Sequence, residues 1–157
     1  MSRFTSIMNM ILEKTDELFM REALKEAHKA FDKKEVPIGA VIVCDGQVIA
    51  RAHNLTEQLN DVTAHAEMQA FTAAADYLRG KYLKECTLYV TIEPCVMCSG
   101  AAYWTQLKRV VFGAKDEKRG VSNLEIKLLH PKTTLTSGVL KNECSELMSV
   151  FFGTKRS

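Results

Sequence analysis

From Thr15 to Lys34 the apolar positions Leu18, Phe19, Ala23, Leu24, Ala27, Ala30 and Phe31 recur every three or four residues. That spacing predicts an amphipathic helix, with Thr15 or Asp16 able to cap it. The period then changes. "VPIGAVIVCDGQVIAR" reads as two apolar strands joined at Asp45-Gly46, residues that tolerate the positive φ of a two-residue hairpin turn. The polar stretch "HNLTEQLNDVT" predicts a loop, and the alanine-rich run from about Ala64 to Arg79 a helix, with Gly80 as its left-handed stop. "CTLYVTI" is β-branched and aromatic, as a central strand requires. Pro94 suits a helix entrance, and a helix is expected from Cys95 to about Gln106. "RVVFGA" predicts another strand, and a last helix is expected over about Lys141 to Phe152.

Strands alternating with helices over connections too long for hairpins imply a sheet covered on both faces. The opening hairpin makes that sheet mixed. The expected class is therefore α/β, a three-layer α/β/α arrangement. No linker, repeat or low-complexity segment interrupts the chain, so residues 1–157 are expected to form a single domain, with 1–14 a loosely ordered N-terminal extension.

Composition narrows the setting. Apolar and charged fractions of 46% and 25% are those of a folded chain and exclude disorder as the default. A net charge of +2 permits a nucleic-acid partner without predicting one. No apolar run reaches the roughly 18–20 residues that span a bilayer, so no membrane partner is expected. "MSRFTSIMNMILEK" lacks the continuous apolar core of a secretion signal, and a cytoplasmic location is expected. The five cysteines are odd in number and do not suggest a disulfide framework. Cys44, Cys86 and Cys144 read as small core residues; Cys95 and Cys98 stand apart because of their surroundings.

"HAEMQA" begins at His65, and "EPCVMC" follows about thirty residues later, each at a helix entrance. A helix N-terminus favours thiolate over thiol. Cys95 and Cys98 share a face of one helical turn, and His65 adds a nitrogen from another helix. Three protein ligands leave one tetrahedral position open, which is the pattern of catalytic zinc. Glu67 lies two residues beyond His65, where a carboxylate could collect a proton from water activated by the metal. Alone, the CxxC, the histidine or the HxE pattern would say little. His53 is a weaker alternative ligand, at the end of a predicted strand. His28 and His130 read as surface and loop residues. A purely structural zinc site would need a fourth protein ligand, and none is visible.

This H-x-E…P-C-x-x-C pattern resembles that of the zinc-dependent cytidine/deoxycytidylate deaminase superfamily, whose signature it is. "EVPIGAVIV", "ARAHN", "TAHAEMQA", "CTLYVTIEPCVMCSGA", "RVVFGA" and "GVLKNECSELMSVFF" are similar to its bacterial tRNA adenosine deaminase branch. The resemblance implies a cytidine deaminase-like fold with about five strands and one zinc ion per subunit. His65, Cys95 and Cys98 would be the ligands and Glu67 the proton shuttle. Asn54 would contact the nucleoside; read alone, it is as well explained as a loop residue bonding its own backbone. The implied reaction is hydrolysis of the wobble adenosine to inosine in a tRNA anticodon stem-loop, by a homodimer. Phosphate contacts are expected among Lys108, Arg109, Lys118, Arg119, Lys155 and Arg156. "KDEKRGVSNLEIKLLHPKTTLTSGVL" is shorter than that branch usually carries, and "GAAYWTQ" is also similar to guanine deaminases. A free-base or nucleoside deaminase is therefore the alternative. Tyr103 and Trp104 are expected to pack their helix against the sheet.

Overall fold

The structure is a computed structural model that describes residues 2–156, except for the side chains of 154–156. The chain runs α1 (Arg3–Asp32), β1 (Gly39–Cys44), β2 (Gln47–His53), α2 (Ala66–Leu78), β3 (Cys86–Ile92), α3 (Val96–Thr105) and β4 (Arg109–Ala114). A single 3-10 turn at Val121–Asn123, β5 (Thr134–Thr136) and α4 (Lys141–Arg156) complete it. The five strands form one sheet in the order β2-β1-β3-β4-β5. β1 pairs antiparallel with β2 and β3, whereas β3–β4 and β4–β5 are parallel, so the sheet is mixed as the hairpin required.

The two faces follow from strand alternation, which sends successive side chains to opposite sides. Ala40, Ile42, Leu88, Val90, Val110 and Phe112 point toward α2 and α3 and pack with Ala66, Ala70, Phe71, Ala74 and Ala102. Val41, Val43, Tyr89 and Val111 point the other way, onto Phe19, Met20 and Ala23 of α1 and Cys144 of α4. Small residues on α2 let it lie close to the sheet. On the opposite face the demand for space is met by Gly39: a Cβ there would run into the backbone of Ala23, Glu26 and Ala27. That contact seats α1 directly on β1.

Several boundaries differ from the sequence reading, each for a local reason. α1 begins at Arg3 rather than near Thr15, with Ser2 Oγ accepting from the Thr5 N–H at 3.2 Å. Residues 2–15 are all exposed, so burial periodicity could not mark them. The left-handed stop of α2 is Arg79 (φ 55°), one residue before Gly80. Its N–H and that of Gly80 close back on Asp76 O and Ala75 O, and these two bonds offset the side chain's strain. Asp45 and Gly46 take φ of 53° and 73°, as the Asp-Gly signal predicts. β5 is short and carries no apolar alternation, with Thr134 and Leu135 exposed.

Candidate active site

Both motif helices present their first turns at the same edge of the sheet. His65 is the N-cap of α2 (φ −71°, ψ 154°) and Cys95 the N-cap of α3 (φ −75°, ψ 177°). Neither side chain caps its own helix, so both are free to point at a common centre. Cys98, one turn into α3, is fully buried. His65 Nδ1 lies 3.6 Å from Cys95 Sγ and 3.5 Å from Cys98 Sγ, and all three donor atoms fall within 4.8 Å of one another. A tetrahedral zinc with usual Zn–S and Zn–N bonds holds sulfur and nitrogen roughly 3.5 Å apart. The donor set and its spacing fit zinc. Among the described residues this is the one His/Cys/Asp/Glu group with such geometry; His53 is not part of it.

The protonation states of the trio reflect shared protons. Hydrogen bonding from Cys98, and then from His65, draws the Cys95 thiol down to about 4, against the opposition of burial. Cys98 is pushed up strongly by its contact with Cys95, by burial and by Glu67. His65 is raised by its hydrogen bond to Cys95. One thiolate thus already stands in the trio, and a cation would displace the protons of the other two groups.

Glu67, in the first turn of α2, is 4% exposed. Burial raises its carboxyl pKa, partly opposed by hydrogen bonding with Cys98 and the charge of His65. Asn54 is also buried, its N–H donating to Ile38 O at 3.1 Å and its Nδ2 lying 3.5 Å from Thr56 Oγ1. The end of β2 and the start of α2 are tied by Gln69, whose Nε2 donates to His53 O (2.9 Å), Ala64 O (3.1 Å) and His65 O (3.4 Å). Sequence reading missed Gln69, which looks like any polar helix residue. It also missed two buried carboxylates, Glu35 and Glu93, that hold the flanking loops. Their one legible signal was an acid embedded in an otherwise apolar segment.

The basic candidates separate. Lys108, Lys118 and Arg119 are exposed. Arg119's charge reaches His65, where it opposes protonation. Arg109 is withdrawn from that set: its guanidinium donates twice to the buried carboxylate of Asp16 and is held inside the fold. The side chains of Lys155 and Arg156 lie outside the described residues. Tyr103 and Trp104 do not pack α3 against the sheet; they are 37% and 75% exposed, with Tyr103 stacked between Trp104 and His130.

Comparison with known proteins agrees with this centre. Residues 13–114 match the cytidine and deoxycytidylate deaminase zinc-binding region, and the chain belongs to that family of zinc-binding deaminases. Within it, the chain is 49% identical over 142 residues to the tRNA-specific adenosine deaminase of Bacillus subtilis, covering 87% of this chain and 88% of that one. A solved structure from a study of A-to-I editing by tRNA:A34 deaminases at the wobble position superposes with a TM-score of 0.78 at 41% identity. It covers 82% of this chain and 97% of the other. A guanine deaminase structure from Bacillus subtilis is 40% identical but covers 63% of this chain and 64% of its own, with a TM-score of 0.60.

Proposed function

We propose that this chain hydrolyses the wobble adenosine of tRNA anticodon loops to inosine, releasing ammonia. The observation that carries the reading is the His65–Cys95–Cys98 donor trio with a buried carboxylate, Glu67, beside it, in a chain aligned along most of its length with tRNA-specific adenosine deaminases.

His65, Cys95 and Cys98 would hold zinc, which supplies a Lewis acid that makes water a competent nucleophile at neutral pH. Every other step falls to the chain's own groups. Glu67 takes the proton of the attacking water as oxygen adds to C6 of the adenine. It delivers that proton to ring N1, then carries the second water proton to the amino group, which leaves as ammonia. Burial suits Glu67 to this, because a carboxylate with a raised pKa is a better base and still returns its proton. Asn54, held by its backbone bond to Ile38, would offer the purine edge a donor and an acceptor. A base stacked in a helix could not reach a pocket of this kind, so the substrate would be splayed from a single-stranded loop.

We further read the active form as a cytoplasmic homodimer. Trp104 and Tyr103 leave an aromatic surface on α3. Beside it His130, Leu124, Ile126 and Leu135 line a cavity of about 310 Å³. Among the described residues no helix is long and apolar enough to cross a membrane. Trp104→Asp should shift the sedimentation behaviour toward monomer if this face is the interface.

The function is tested by incubating the zinc-loaded protein with an anticodon stem-loop RNA and, separately, with guanine and cytosine. Inosine in the RNA is the expected product. Ammonia from the free bases alone would instead favour the guanine-type alternative.

A further inference from the structure

Glu93 stands directly before Pro94 and Cys95 and is 3% exposed. Its two oxygens accept from two separate backbone amides: Asp116 N–H at 3.2 Å and Ser122 N–H at 2.7 Å. Those amides lie at the two ends of the loop that follows β4, so one carboxylate closes the loop. The loop is braced further. Gly120 N–H donates to Asp116 O at 2.9 Å, and Val121 N–H to Pro94 O at 3.2 Å, beside the ligand Cys95. Asp116 Oδ1 accepts from the N–H groups of Lys118 (3.0 Å) and Arg119 (2.9 Å). Asn123 Nδ2 donates to Asp116 O and Glu117 O.

What this frame carries is two exposed cations, Lys118 and Arg119, neither with an ion-pair partner among the described residues. Burying a carboxylate is costly unless it is fully hydrogen-bonded, and here that cost is met by backbone amides of a surface loop. Nothing in the packing of β4 needs an acid at this place. A stiff loop holding two unpaired cations beside the site does, however, lower the ordering cost of binding a flexible polyanion.

We propose that Glu93 is a positioning residue for RNA: it fixes the 116–122 loop so that Lys118 and Arg119 meet the phosphates flanking the reacting nucleotide. This rests on the tRNA deaminase reading above. Glu93 touches no reacting atom, and its effect belongs in KM and in salt dependence rather than in kcat. Glu35 offers a comparison. It is a second buried carboxylate that accepts from the N–H groups of Glu57 (2.8 Å) and Gln58 (3.2 Å), but the loop it pins carries no cation at those positions.

The test is steady-state deamination of an anticodon stem-loop RNA across a range of salt. Glu93→Gln is expected to raise KM about tenfold at low salt and to leave kcat within about twofold. The slope of log KM against log salt should become shallower by about 1. The exposed pair Lys118→Ala/Arg119→Ala should do the same, and adding Glu93→Gln to it should change little more, because all three act through one arm. Glu35→Gln should leave the salt slope unaltered. Should Glu93→Gln fail to fold, Gly120→Ala decides. At an ordinary φ of −65°, its added Cβ would meet the Glu93 carboxylate and, at 2.6 Å, Asp116 O, and so unseat the loop from the other side. An unchanged salt slope in the folded Glu93→Gln protein, or in Gly120→Ala, would overturn the proposal, as would full additivity with the lysine–arginine pair or a slope change in Glu35→Gln. Wild-type protein inert on RNA would overturn the tRNA reading and this proposal together. An active wild type with unaffected variants overturns the proposal alone.

Discussion

Arg109 grips the carboxylate of Asp16 with both terminal nitrogens, at 2.7 and 2.6 Å, across the gap between β4 and α1. The Tyr89 hydroxyl donates to the same carboxylate at 2.8 Å, and Arg109 also donates to Thr136 at 2.9 Å, so the pair joins α1, β3, β4 and β5. Burial and the Asp16 contact hold the Tyr89 phenol well above its usual ionisation range. Asp16→Ala leaves a largely buried guanidinium unpaired, and such a change costs about 3–5 kcal/mol. Urea unfolding should show that loss, while zinc content should be unchanged because the pair lies on the face away from the site. A loss under about 1 kcal/mol would mean that solvent reaches the pair and restores its hydration.

Gly39 provides a steric test of how α1 is seated. A methyl group there has no room before the backbone of Ala23 and Ala27. Because the obstacle is backbone and not a flexible side chain, Gly39→Ala should destabilise by at least about 1–3 kcal/mol. Thermal melting checks it; an unchanged midpoint would place α1 farther from β1.

Glu26 gives the fold a dependence on acid. Burial alone would raise its pKa, but hydrogen bonds from Lys29 (2.6 Å) and His53 (3.1 Å) outweigh it and hold the carboxyl below its ordinary 4.5. A depressed carboxyl stabilises the fold above its unfolded pKa, and the benefit disappears as pH falls through the lower folded value. Glu26→Gln should therefore be less stable than wild type at about pH 7, and the gap should narrow below about pH 4.5. Denaturation midpoints measured across that range check this; a constant gap would contradict it.

How much of this was legible in the sequence depended on whether a residue's role was local. His65, Cys95 and Cys98 announced themselves because zinc demands particular donors, and helix entrances place them. The Asp45-Gly46 hairpin was equally plain, since its positive φ values are written in residue type. Arg109 misled because a basic residue next to Lys108 looks the same whether it faces solvent or a carboxylate distant in sequence. Tyr103 and Trp104 misled in the opposite sense, being large aromatics left at the surface. Gln69, Glu35 and Glu93 were silent, because their partners are backbone groups that only the folded chain brings near. β5 was silent too, since three residues with two exposed side chains carry no period.

The central claim is that Glu67 moves protons beside a metal held by three other side chains. The direct measurement is single-turnover inosine formation on stem-loop RNA by Glu67→Gln, with its zinc content determined on the same sample. The account predicts that zinc stays near one per chain while the rate falls by about 10²–10⁴-fold. A zinc-loaded Glu67→Gln protein that forms inosine at the wild-type rate would contradict it.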